Sequence, residues 1–112
     1  MRQETNKIAE AFKNGRPLRE ARTTTDGQRV QLHGHLIAER LDDGTYMLTL
    51  AGWGTSTTRE RLNGISTALR LGFSFFQRDR EQYVSNGVED IPISAHDRIV
   101  IDPEAETYRI ER

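Results

Sequence analysis

The chain has 112 residues and a net charge of −1, from 16 basic and 17 acidic side chains, and it has no cysteine. That length suits one domain with one core. The near-neutral total argues against bulk coating of nucleic acid, and the missing thiols exclude disulfides and thiolate metal sites and suit a cytosolic setting.

The apolar fraction of 35% is low against 29% charged, as expected where one sheet face is covered and the other is wet. The N-terminal MRQETNKIAEAFKNG has no long apolar run and does not read as a signal peptide. No stretch approaches the roughly 20 apolar residues of a membrane-spanning helix.

In chain order, residues 5–14 read as a short helix. Thr5 or Asn6 can cap it, Ile8 and Phe12 share a face, Gly15 can end it, and Pro17 enforces the break. A helix this short needs a surface to dock on. Residues 18–50 read as a meander with turns at Asp26-Gly27 and Asp43-Gly44. In RVQLHG, Val30 and Leu32 alternate with Gln31 and His33; in TYMLTL, Tyr46, Leu48 and Leu50 alternate with Met47 and Thr49. A period of two marks a half-buried strand. HLIAERLDDGTYMLTL is the clearest hairpin.

Residues 57–71 read as the main helix, with Leu62, Ile65 and Leu69 on one stripe and Arg59, Asn63, Ser66 and Arg70 opposite. Thr57 and Glu60 fit a capping box, and Gly72 sits where a left-handed residue would end the helix. Gly64 costs about 1 kcal/mol relative to alanine inside a helix, which implies a close approach to the sheet or to Trp53. Further on, FSFFQ and QYVSNG pair through a charged turn at residues 78–81, Asn86-Gly87 turns again, and RIVID pairs with TYRI. The fold class is α+β: a largely antiparallel sheet, one main helix over about 57–71 and a short N-terminal helix. We divide the chain into an N-terminal helix and basic arm over 1–22 and a single α+β domain over 23–112.

Charge is segregated. Residues 1–22 carry six basic and three acidic groups (+3), 23–58 two and four (−2), 59–80 five and two (+3), and 81–112 three and eight (−5). Fourteen of the 16 basic residues are arginine, from a GC-rich coding sequence or from recognition of phosphate or carboxylate by planar guanidinium groups. The sequence GWGTSTTRERLNG, residues 52–64, concentrates the candidates. Its second half is explained by helix initiation. Helix N-termini also bind phosphate, but neither a P-loop nor a dinucleotide-binding glycine pattern is present. Trp53 reads as a lid on the core, or as an exposed hot spot or stacking platform. The candidate binding set is Trp53, Thr55, Arg59, Arg61, Arg70, Arg78 and Arg80, against an ordinary mixed-charge surface as the plainer reading.

No catalytic constellation is visible. GISTA is not a nucleophile elbow, and Asp42-Asp43 and Glu89-Asp90 belong to turns and loops. His33 and His35 would point the same way on a continuous strand, as metal ligands can, with His96 as a third; a turn at Gly34 with solvated histidines is the plainer reading. We therefore expect no enzyme, no cofactor and no metal site.

Residues 23–65, TTTDGQRVQLHGHLIAERLDDGTYMLTLAGWGTSTTRERLNGI, resemble a group of small uncharacterised bacteriophage proteins that share a Thr-rich entry, an Asp-Gly turn and an AGWxTxTTRERLN element. The resemblance covers roughly 40% of the chain. It implies a phage accessory protein in the cytoplasm of the bacterial host, binding a host or phage protein or nucleoprotein complex, with counter-defence or host takeover as one such role. The alternative is direct binding of DNA or RNA through an arginine-rich face and Trp53.

Overall fold

The computed structural model describes residues 3–112, so the first two residues of the N-terminal segment lie outside it. Helix α1 (Gln3–Lys13) buries Thr5, Ile8, Ala9, Ala11 and Phe12. Positions 5, 8, 9 and 12 are the i, i+3, i+4, i+7 set of one helix face. That face docks on the chain's own core, which supplies the support that a helix of this length needs. The last turn is closed from outside. The Arg40 guanidinium donates to the carbonyls of Phe12 (2.9 Å) and Gly27 and lies 5.0 Å from the centre of the Phe12 ring.

Five strands follow: β1 (Leu18–Glu20), β2 (Thr23–Thr25), β3 (Arg29–Leu32), β4 (His35–Arg40) and β5 (Tyr46–Thr49). After α2 (Ser56–Leu69) come β6 (Ser74–Arg78), β7 (Glu81–Ser85), β8 (Asp90–Ile93), β9 (Arg98–Asp102) and β10 (Thr107–Glu111). The fold is α+β. Seven strands form one antiparallel sheet in the order β1-β2-β3-β4-β5-β9-β10, and β6-β7-β8 form a second, smaller one. The large sheet is extended by a non-local pairing of β9 with β5, in which Tyr46 faces Ile101 and Leu48 faces Ile99.

One core joins all layers. Ile8 and Phe12 of α1, Leu62 and Ile65 of α2, Val30, Leu48, Ile99 and Ile101 of the large sheet, and Phe75 and Val84 of the small sheet belong to it. The β3–β4 connection is a two-residue turn with His33 at φ 52° and Gly34 at φ 81°, the left-handed pair that suits a hairpin. Val30 pairs with Ala38 and Gln31 with Leu36, so Ile37 is an extra residue. This bulge lets Ile37 and Ala38 both be buried although they are adjacent.

Several sequence expectations change. Thr5 and Asn6 lie inside α1 and do not cap it. Helix α2 runs over Ser56–Leu69 rather than 57–71, and its N-cap is Thr55 rather than Thr57: the Thr55 hydroxyl accepts from the Thr58 amide at 3.2 Å. The capping box does not form, because the Glu60 carboxylate accepts instead from the Thr5 hydroxyl and Arg61, both at 2.9 Å. At the other end Arg70, not Gly72, is the left-handed cap, at φ 56°. The polar side of α2 does not face water throughout. Ser66 is buried, and the Asn63 amide donates to the Phe75 carbonyl (3.0 Å) and accepts from the Phe75 amide (2.6 Å), so the small sheet docks there. Strands β1 and β2 fall in a stretch where the sequence indicates only a meander entry.

Candidate functional site

Strand β5 ends in a turn through Leu50, Ala51, Gly52 and Trp53, closed by the Trp53 amide on the Leu50 carbonyl at 2.9 Å. Ala51 and Gly52 both have positive φ. The Gly52 amide is anchored on the Ala95 carbonyl at 2.9 Å, and an added Cβ at Gly52 would lie 2.8 Å from His96 Cε1. The backbone here is thus fixed on both sides. The turn projects Trp53 outward. Trp53 is 52% exposed, and its ring lies 5.4 Å from the His35 ring at 46°. Trp53 is therefore not a lid on the core.

Beneath Trp53 is a hollow of about 250 Å³, lined by Leu32, His33, Ile37, Trp53, Thr55, Thr57 and Thr58. Leu32 and Ile37 are buried and give it an apolar floor, with the buried Thr58 beside them, and Thr55, Thr57 and His33 form its rim. Small-molecule sites usually measure about 300–1,000 Å³. This hollow is at the small end, a size for one inserted side chain rather than a cofactor. Sequence reasoning singled out Trp53 and Thr55 for binding and weighed His33 only as a metal ligand, and it missed Leu32 and Ile37. The Leu32-His33-Gly34-His35 turn was the available signal, because a two-residue hairpin turn brings both histidines to one end of the sheet.

The arginines of the candidate set do not converge. Arg61 is 4% exposed: its Nε donates to the Thr23 hydroxyl at 3.0 Å and its Nη1 to the Thr5 hydroxyl and the Glu60 carboxylate. It is an internal tie between α1, α2 and β2 and offers no surface contact. Arg59 lies closer to Trp53 but is occupied, with Nη1 donating to the Gly54 carbonyl (2.9 Å) and to Gln77 and Gln82 Oε1 (both 3.1 Å). It pins the Trp53 loop to the small sheet. Arg70 caps the far end of the 14-residue α2, roughly 20 Å away along the helix. Arg78 lies 4.6 Å from the Tyr83 ring centre and 5.6 Å from that of Phe76, and pairs with Asp90 at 3.5 Å. Strand alternation places it on the opposite face from Gln77 and hence from Arg59. Arg80 is exposed in the β6–β7 turn at φ 67°.

The sequence of residues 1–100 matches the Kyanoviridae Gp96 protein family. The chain belongs to this family of phage proteins. The matched span runs from α1 into β9, and so contains the whole Trp53 loop, its hollow and the small sheet, while β10 lies beyond it. No curated protein and no solved structure matches the chain. Among the described residues, no helix is long and apolar enough to cross a membrane, and no group of three or more His, Asp or Glu residues is placed to hold a metal ion.

Proposed function

We propose that this Kyanoviridae Gp96 family member is a non-enzymatic accessory protein that binds a host or phage protein through the Trp53 loop. The observation that carries the reading is a half-exposed tryptophan on a doubly anchored turn, standing over an apolar hollow of single-side-chain size. Rigid aromatic anchors beside small apolar pockets are what protein interfaces use as hot spots. Mobility would cost binding energy, and the tie of Arg59 to Gly54 and the anchor of Gly52 on Ala95 reduce it. Counter-defence or takeover of a host complex is the role we assign within the phage context.

A protein partner fits better than nucleic acid. Phosphate contacts come from free cations gathered along one face. Here Arg61 is buried, Arg59 and Arg78 are engaged, and Arg70 lies at the other end of α2. The test is capture from infected-cell lysate with the wild type and with Trp53→Ala, followed by titration of the captured protein. A partner whose affinity falls about 30-fold or more with Trp53→Ala supports the reading. Equal affinity sinks it, and a salt-sensitive shift of short DNA or RNA would replace it with the nucleic-acid reading.

A further inference from the structure

Each of the two sheets has two edge strands, and an edge is a row of unpaired amides and carbonyls that proteins usually blunt. Three of the four are blunted here. The outer edge of β6 is occupied by α2: Asn63 makes both bonds to Phe75, and Ser66 Oγ accepts from the Phe73 amide and donates to its carbonyl. Strand β8 carries Pro92, which has no amide proton. Strand β1 has three residues, follows Pro17 and lies against α1, with Lys7 paired to Glu20 at 3.2 Å. The fourth, β10, is paired over all five residues to β9 on one side. It contains no proline, and no backbone or side-chain hydrogen bond among the described residues reaches its other edge. Beside it, a groove of about 440 Å³ exposes Val88 (93%) and Tyr108 (36%).

We propose that β10 pairs antiparallel with β10 of a second copy of this chain, centred on Ile110, extending the large sheet across a two-fold axis. Charge selects both the occupant and the register. Arg109 and Glu111 lie on one face, 3.0 Å apart, and are 63% and 45% exposed. Opposed residues of an antiparallel ladder share a face, so self-pairing allows only registers centred on one residue or shifted from it by whole residues in both copies. Centring on Arg109 opposes like charges. Centring on Tyr108 sets Arg109 against Thr107. Centring on Ile110 opposes each Arg109 to Glu111 of the other copy, twice by symmetry. In this register only Arg109, Ile110 and Glu111 of β10 oppose one another, with Tyr108 opposite Arg112 beyond the strand, so the ladder is short and the dimer is weak and depends on concentration.

The test is sedimentation velocity of the full chain over a concentration series, with Arg109→Glu and with the exchange Arg109→Glu/Glu111→Arg. Both side chains face solvent, so the fold is left intact. The wild type should dimerise, the single substitution should weaken the dimer about tenfold, and the exchange should restore it. Because the chain has no cysteine, Ile110→Cys gives an independent reading, with an oxidised cross-link forming between copies in this register. A protein that stays monomeric up to about 1 mM, a dimer indifferent to Arg109→Glu, or one that the exchange does not restore overturns the proposal.

Discussion

The Nε of Arg61 donates to the Thr23 hydroxyl at 3.0 Å, and neither residue has appreciable contact with water. The same guanidinium reaches Thr5 and Glu60, so one side chain of α2 binds α1 and β2 together. Removing a buried hydrogen-bonded cation strands its acceptors as well as losing its bonds. Arg61→Ala should cost about 3 kcal/mol, below the top of the range because Glu60 is 24% exposed and can be hydrated. Urea unfolding should show a lower midpoint at unchanged slope. Arg61→Lys should recover only part of the loss, since an ammonium lacks the fork that serves several acceptors in fixed directions.

The Asn63 side chain acts as a short piece of strand against β6, with one bond given to Phe75 and one taken from it. Asn63→Ala leaves both Phe75 groups without their side-chain partner at a half-buried junction, at a cost of about 1–3 kcal/mol. The effect should be local. Amide exchange in β6–β8 should quicken by more than exchange in β4, β5 and β9. Equal acceleration across both sheets would mean that the small sheet has no independent opening.

Both helices and the hairpins β4–β5, β6–β7 and β9–β10 were legible, because their periodicity and turn residues are local. The turn after β6 shows how far such signals reach: Asp79 and Arg80 both adopt positive φ without a glycine, and charge alone marked the place. What was hidden is non-local. Thr57 and Glu60 form a capping box on paper, but Thr5 and Arg61 claim the Glu60 carboxylate once α1 docks, across 55 residues of sequence. Arg61 looked like a surface cation because its burial depends on that same docking. Strands β1 and β2, with three residues each, are too short to show a period. Of the candidate site, Trp53 and Thr55 were legible; the floor of Leu32 and Ile37 arises from a hairpin turn and a bulge that only pairing defines.

Trp53 should separate stability from binding. Half of its surface is already in water, so Trp53→Ala should cost about 1 kcal/mol or less. Its effect on a partner should exceed 2 kcal/mol, the scale of a central aromatic anchor. Thermal unfolding and a binding titration on the same preparation check both. A stability loss above the binding loss would mark Trp53 as structural.

Two aspartates set an acid limit. Asp26 is held below the usual carboxylate value chiefly by the Arg29 amide at 2.7 Å and then by the Gln28 amide at 2.8 Å. Asp43 is held down by the Thr45 hydroxyl at 2.6 Å and then its amide at 3.1 Å. A carboxyl depressed in the fold binds its proton more readily when unfolded. Its contribution is therefore complete above the ordinary aspartate value of 3.8 and disappears as pH falls through the lower folded value. Both groups face solvent, so each effect is modest. The urea midpoint should fall between about pH 5 and about pH 2, and by less in Asp26→Asn/Asp43→Asn. An identical fall in that variant would place the acid sensitivity elsewhere.

Three glycines with nearly equal φ allow strain to be separated from contact. Gly44 (φ +85°), Gly52 (φ +86°) and Gly27 (φ +93°) all sit where a side chain is disfavoured, at about 1 kcal/mol for alanine. At Gly44 a Cβ meets nothing within 4 Å, so Gly44→Ala should show that cost alone. At Gly52 the neighbour is the exposed His96 ring, 2.8 Å away, which can rotate aside; Gly52→Ala should cost slightly more, and His96→Ala should remove the excess. At Gly27 the neighbours are the Gly15 carbonyl carbon and oxygen, both at 2.5 Å, where the end of α1 passes beneath the β2–β3 turn. Backbone cannot swing away as a ring can. Gly27→Ala should therefore be the most damaging of the three, by about 2 kcal/mol or more over Gly44→Ala, and should loosen α1 first. Equal unfolding midpoints for the three variants would show that positive φ, and not the approach of Gly15, governs the site.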